Sequence, residues 1–90
     1  MNAVITIVGK DAVGIVAKVS GACADFNANV MEVNQSIMGG SIFTMVMLVD
    51  ISEMKGSIAE LSKAIEGVLE GQDLMSHVMH GDIFKAMHRI

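Results

Sequence analysis

The residue types best suited to binding chemistry fall early in the chain, in Gly9, Lys10, Asp11, Gly14 and Ile15. Apolar residues then recur at helical spacing, at Ile15, Val19, Ala22 and Phe26, so a helix is predicted from about Ala12 to Phe26. The start of a helix presents N–H groups without intrahelical partners and the positive end of the dipole, which together attract a carboxylate. Gly14 removes a side chain and lets a ligand approach the backbone. Asp11 can attract an ammonium group. A carboxylate acceptor beside an ammonium acceptor describes a free amino acid. The same residues have a plainer account. Asp11 would be an N-cap, worth about 1 kcal/mol, and Gly14 would serve only helix–sheet packing.

Other candidate groups are sparse. His77, His80 and His88 raise the question of a metal. Positions 77 and 80 point to opposite faces of a regular strand, and no cysteine joins them at zinc-like spacing. A structural or surface role is expected over a metal site, with an intersubunit metal as the lesser alternative. Cys23 falls on the helix stripe beside Ala22 and reads as a small core residue. No Ser–His–Asp or Cys–His arrangement is legible, and no paired carboxylates fall in an expected cleft. The chain is therefore expected not to be an enzyme, and no cofactor is expected.

The composition narrows the partners. The chain has 90 residues, the size of one domain, and buries roughly 60–65% of its unfolded surface. It is 52% hydrophobic, with mean hydropathy +0.56. Such excess apolar surface is expected to be covered by another copy, as a homodimer or larger, or by a partner. Six Lys and Arg, scattered under a net charge of -4, argue against nucleic-acid binding. One cysteine and no signal-peptide pattern point to a reducing, cytoplasmic setting. No apolar run approaches the ~18 residues of a membrane span.

The elements that must position these groups alternate in type. Ala3 to Val8 is a strand apolar on both faces, as is Ile42 to Val49. Val30 to Met38 alternates, with Glu32, Asn34 and Ser36 on one face and Met31, Val33 and Ile37 on the other. Gly39-Gly40 signals a two-residue hairpin. A second helix carries Ile58, Leu61, Ile65 and Leu69 as its buried stripe, weakened by Gly56 and Gly67. Leu74 to Met79 is a fourth strand. Ile83, Phe84 and Met87 mark a short terminal helix. The order predicts an α+β, ferredoxin-like βαββαβ sandwich. Its four-stranded antiparallel sheet carries two helices on one face, with a short C-terminal helix added. The two strands that are apolar on both faces fall in the centre of that topology.

The opening ITIVGKDAVGIVAKVS, a strand and then G-x-D-x-x-G-I-V running into a helix, resembles the start of an ACT domain. NQSIMGGSIFTMVMLVD and DIFKAMHRI are similar to the middle hairpin and tail of the small free-standing ACT proteins of the UPF0237 type. The resemblance spans residues 1–90 as a single ACT domain. It implies a regulatory module that binds an amino acid or other small ligand between paired subunits. Gly9, Lys10, Asp11, Gly14 and Ile15 match the ACT ligand loop. The proline that often precedes its second glycine is replaced by Val13. In the ACT arrangement the second strand meets a neighbour, so Asn34, Gln35 and Ser36 can complete a site formed by the partner's loop. Their plainer role is a solvated strand edge. The function expected is non-enzymatic sensing of an amino acid at a subunit interface, passed to a regulated protein partner. The alternative is a protein-binding adaptor whose ligand site is vestigial.

Overall fold

The computed structural model describes residues 1–10 and 13–82. Six elements follow one another along the chain. They are β1 (Asn2–Gly9), α1 (Ile15–Asp25), β2 (Asn29–Met38), β3 (Ile42–Asp50), α2 (Ile58–Val68) and β4 (Leu74–His80). The strands form one sheet in the order β2-β3-β1-β4, antiparallel throughout. This is the expected βαββαβ sandwich. The two strands apolar on both faces, β1 and β3, are the central pair. The tail helix expected at Ile83, Phe84 and Met87 lies outside the described residues.

Strand alternation divides the sheet into two faces. Ala3, Ile5 and Ile7 of β1 and Phe43, Met45, Met47 and Val49 of β3 point to the helical layer and are buried. Ile15, Val19, Ala22 and Cys23 of α1 meet them, with Leu61 and Ile65 of α2. Burying a large aliphatic side chain contributes about 1.5–3 kcal/mol, so this cluster dominates the stability of the fold. The opposite face carries Val8, Ile42, Val46 and Met75, all exposed. Among the described residues no helix is long and apolar enough to cross a membrane.

Three local expectations need correction. The β2–β3 hairpin has a three-residue turn, Gly39-Gly40-Ser41, with Met38 paired to Ile42. Gly56 precedes α2 and does not weaken its interior. Ser57 is the N-cap, with Glu60 answering it across a capping box. Finally, β2 is less buried than its alternation suggests. Val30 pairs with Val49 and Glu32 with Leu48, so Met31 is an extra residue in a bulge, and it is exposed. Ile37 faces the helical side beside Phe43 but is 57% exposed, because the helical layer does not cover this end of the edge strand.

Candidate ligand site

The β1–α1 junction is built on two glycines with different physical reasons. At Gly9 an added Cβ would lie 2.2 Å from the Asp73 carbonyl oxygen and 2.7 Å from the Leu74 Cα. The start of β4 passes directly against it. Lys10 N–H donates to the same Asp73 carbonyl at 3.0 Å. Gly9 is thus explained by close backbone approach of β4. The Lys10 side chain is exposed.

Gly14 has φ 69° and ψ 12°, in the left-handed region, and is the N-cap of α1. That conformation costs a residue with a side chain about 1–2 kcal/mol. The helix therefore starts at Ile15, three residues later than expected, and the N-cap position belongs to Gly14 and not to Asp11. Asp11 itself lies outside the described residues. Among the described residues no side chain caps α1, and no acidic residue stands in its first turn. The first intrahelical bond is Lys18 N–H to the Gly14 carbonyl, 3.0 Å. The N–H groups of Ile15, Val16 and Ala17 precede it and have no partner within the helix. The Ile15 side chain is 1% exposed and belongs to the core, so only its N–H can face a ligand.

A residue without any sequence signal joins this junction. Gln72, in the connection between α2 and β4, donates from Nε2 to the Val13 carbonyl at 3.1 Å. Its Oε1 accepts from Lys18 Nζ at 2.5 Å. Lys18 reaches it because helical side chains lean toward the helix start.

The polar pair on β2 is divided. Asn34 pairs with Val46 and Gln35 with Met45, so the two side chains project from opposite faces of the sheet. Asn34 Nδ2 donates to Glu32 Oε2 at 3.5 Å, and Ser36 Oγ meets Thr44 Oγ1 at 2.8 Å. Gln35 is exposed on the helical side, where it lines a cavity of about 350 Å³ with Ser36, Ile37 and Phe43. β3 separates β2 from β1, so Gln35 stands two strand spacings, about 10 Å, from the line of β1. Within one copy the loop residues and the β2 residues do not form a single site.

The remaining candidates stay apart. His77 is registered with Thr6 and His80 with Ala3, on opposite faces. His80 Nδ1 accepts the Asp82 N–H at 3.1 Å. His88 lies outside the described residues, and among those described no three His, Cys, Asp or Glu gather as a metal site. Burial pushes the Cys23 thiol up to about 11, which makes it a poor nucleophile at neutral pH.

The geometry has counterparts among known proteins. A family model for the ACT domain matches residues 2–79. A UPF0237 protein of Clostridium perfringens is 47% identical over 90 residues, covering the whole of both chains. The structure of an ACT domain protein from Streptococcus pneumoniae superposes with a TM-score of 0.77 at 34% identity, over 98% of each chain. The ligand-free regulatory subunit of aspartate kinase from Thermus thermophilus gives a TM-score of 0.63 at 29% identity. That match covers 86% of this chain and 49% of that one.

Proposed function

The chain belongs to the ACT domain family, and on that premise we propose that it is a non-enzymatic, cytoplasmic regulatory module. Its ligand is an amino acid bound between two copies, and the signal passes to a protein partner. The observation that carries this reading is the start of α1. There a left-handed glycine takes the N-cap position and, among the described residues, no side chain caps the first-turn N–H groups, which supports an outside acceptor. A ligand carboxylate fits those groups. Asp11 is assigned the ammonium. Asn34 and Gln35 are too far along the sheet to help within one copy. As residues of an edge strand they are available to a second copy's loop, which supports a site at the interface. The likeness to a protein titled as the regulatory subunit of aspartate kinase supports a regulatory role.

The test is a thermal-shift panel of single amino acids on the full chain, followed by calorimetry. A ligand at 100 times its Kd adds about 2.7 kcal/mol of stability. Asp11→Asn should then leave stability nearly unchanged and weaken binding by about 1.5–3 kcal/mol, the worth of a charge-assisted hydrogen bond. Unchanged affinity in Asp11→Asn would leave the backbone N–H groups as the whole site. A panel with no response would leave the protein-binding adaptor in its place.

A further inference from the structure

The connection between α2 and β4 grips the β1–α1 junction from outside, at both ends of the candidate loop. At one end the Asp73 carbonyl takes the Lys10 N–H at 3.0 Å, and Gly9 has no room for a side chain against it. At the other end Gln72 holds the Val13 carbonyl through Nε2 and the Lys18 ammonium through Oε1. The backbone that carries Gln72 is itself tied down. Its N–H donates to the Leu69 carbonyl at 3.1 Å, and its carbonyl accepts the Leu74 N–H at 2.9 Å. Gly71 just before it has φ 88°, which turns the chain sharply toward α1. The Gln72 side chain is therefore launched from a fixed turn onto a residue 59 positions away in sequence.

We propose that Gln72 is a positioning residue for the ligand loop, setting the conformation of Val13 and Gly14 through the Val13 carbonyl. The inference rests on the reading of that loop as the ligand site. A side-chain amide can do this with both of its ends. Its donor fixes the carbonyl just before the left-handed glycine, and its acceptor draws Lys18 back over the helix start. Gly14 adopts its left-handed pair without strain, but a glycine leaves it as readily, so a contact that fixes the neighbouring backbone sets the turn. The Gln72 bond to the Val13 carbonyl is such a contact.

Two substitutions test this, Gln72→Leu and Gln72→Glu, each in the full chain. Leucine keeps the bulk and loses both bonds. Glutamate keeps an acceptor for Lys18 and loses the donor to Val13. Amide hydrogen exchange over residues 10–14 should quicken about fivefold in both variants, matching the loss of one ordinary hydrogen bond, with the melting temperature lowered by about 4–8 °C. Affinity for whichever standard amino acid shifts the wild type in the panel should fall by a similar factor in both. Unchanged exchange in Gln72→Leu overturns the proposal, and so does a Gln72→Glu variant that behaves as wild type. If the wild type responds to no amino acid, the ligand reading fails by itself, and the exchange data alone decide whether Gln72 sets the loop.

Discussion

The two helices of this small domain begin in opposite ways. At α2 the chain supplies its own partners. Ser57 Oγ accepts from the Glu60 N–H at 3.1 Å, and Glu60 Oε1 accepts from the Ser57 N–H at 2.9 Å. At α1 a left-handed glycine takes the N-cap position, and among the described residues no side chain closes the end. Both helices are 11 residues long and pack on the same face of the same sheet. Glycine is an N-cap only a few tenths of a kcal/mol poorer than serine, so α1 forgoes little stability where α2 uses a full capping box. The difference separates a helix start closed by its own side chains from one where, among the described residues, a glycine takes that place.

That contrast can be broken most severely at its outer support. Gly9→Ala would drive a Cβ into the backbone of Asp73 and Leu74 and should cost about 3 kcal/mol or more, read as a lower urea midpoint. Among the described residues Gly14→Ala meets no close atom, its nearest neighbour being Lys18 Cε at 3.9 Å, so its expected cost is backbone strain, about 1–2 kcal/mol. Gly14→Asn should recover much of that, since asparagine tolerates the left-handed region. Ser57→Ala sharpens the comparison from the other side. It should cost about 1 kcal/mol in chemical denaturation and leave any amino-acid response intact. An equal loss of that response in Ser57→Ala would erase the distinction between the two ends.

The smallest effect belongs to the turn that leads toward α2. The Ser52 hydroxyl and N–H both donate to Asp50 Oδ1, at 2.7 and 2.9 Å, and hold its carboxyl below the ordinary 3.8. A lowered folded value stabilises the fold above the unfolded pKa. That stability is lost as the pH falls through the folded pKa. Wild type should therefore lose slightly more stability than Asp50→Asn on acidification below about pH 4, measured by denaturant titration at each pH.

How much of this was legible in the sequence differs between the same two ends. The capping box at α2 is written plainly as Ser57-x-x-Glu60, yet apolar spacing alone drew the helix back through Gly56. The start of α1 misleads because Asp11 is an ordinary cap type, while the left-handed turn at Gly14 delays the helix past it. The central strands were legible because a strand covered on both sides has no polar face. Asn34 and Gln35, by contrast, are neighbours in sequence that alternation must place on opposite faces, so grouping them required a second copy from the outset. Gln72 carried no signal, because its partners Lys18 and Val13 are 54 and 59 positions away and only the finished fold brings them near. The bulge at Met31 was equally silent.

That bulge bears on how copies of this chain can add to one another. β2 is a ten-residue edge strand with Met31, Ile37 and Met38 exposed, the sort of border on which sheets grow without limit. The extra residue between Val30 and Glu32 shifts the pleat by one, so a straight incoming strand can match the side-chain alternation of one segment of β2 and not of both. The regular part of this edge is thereby cut to the seven residues 32–38. A second strand that pairs there must start beyond the bulge, which fixes where along β2 it begins.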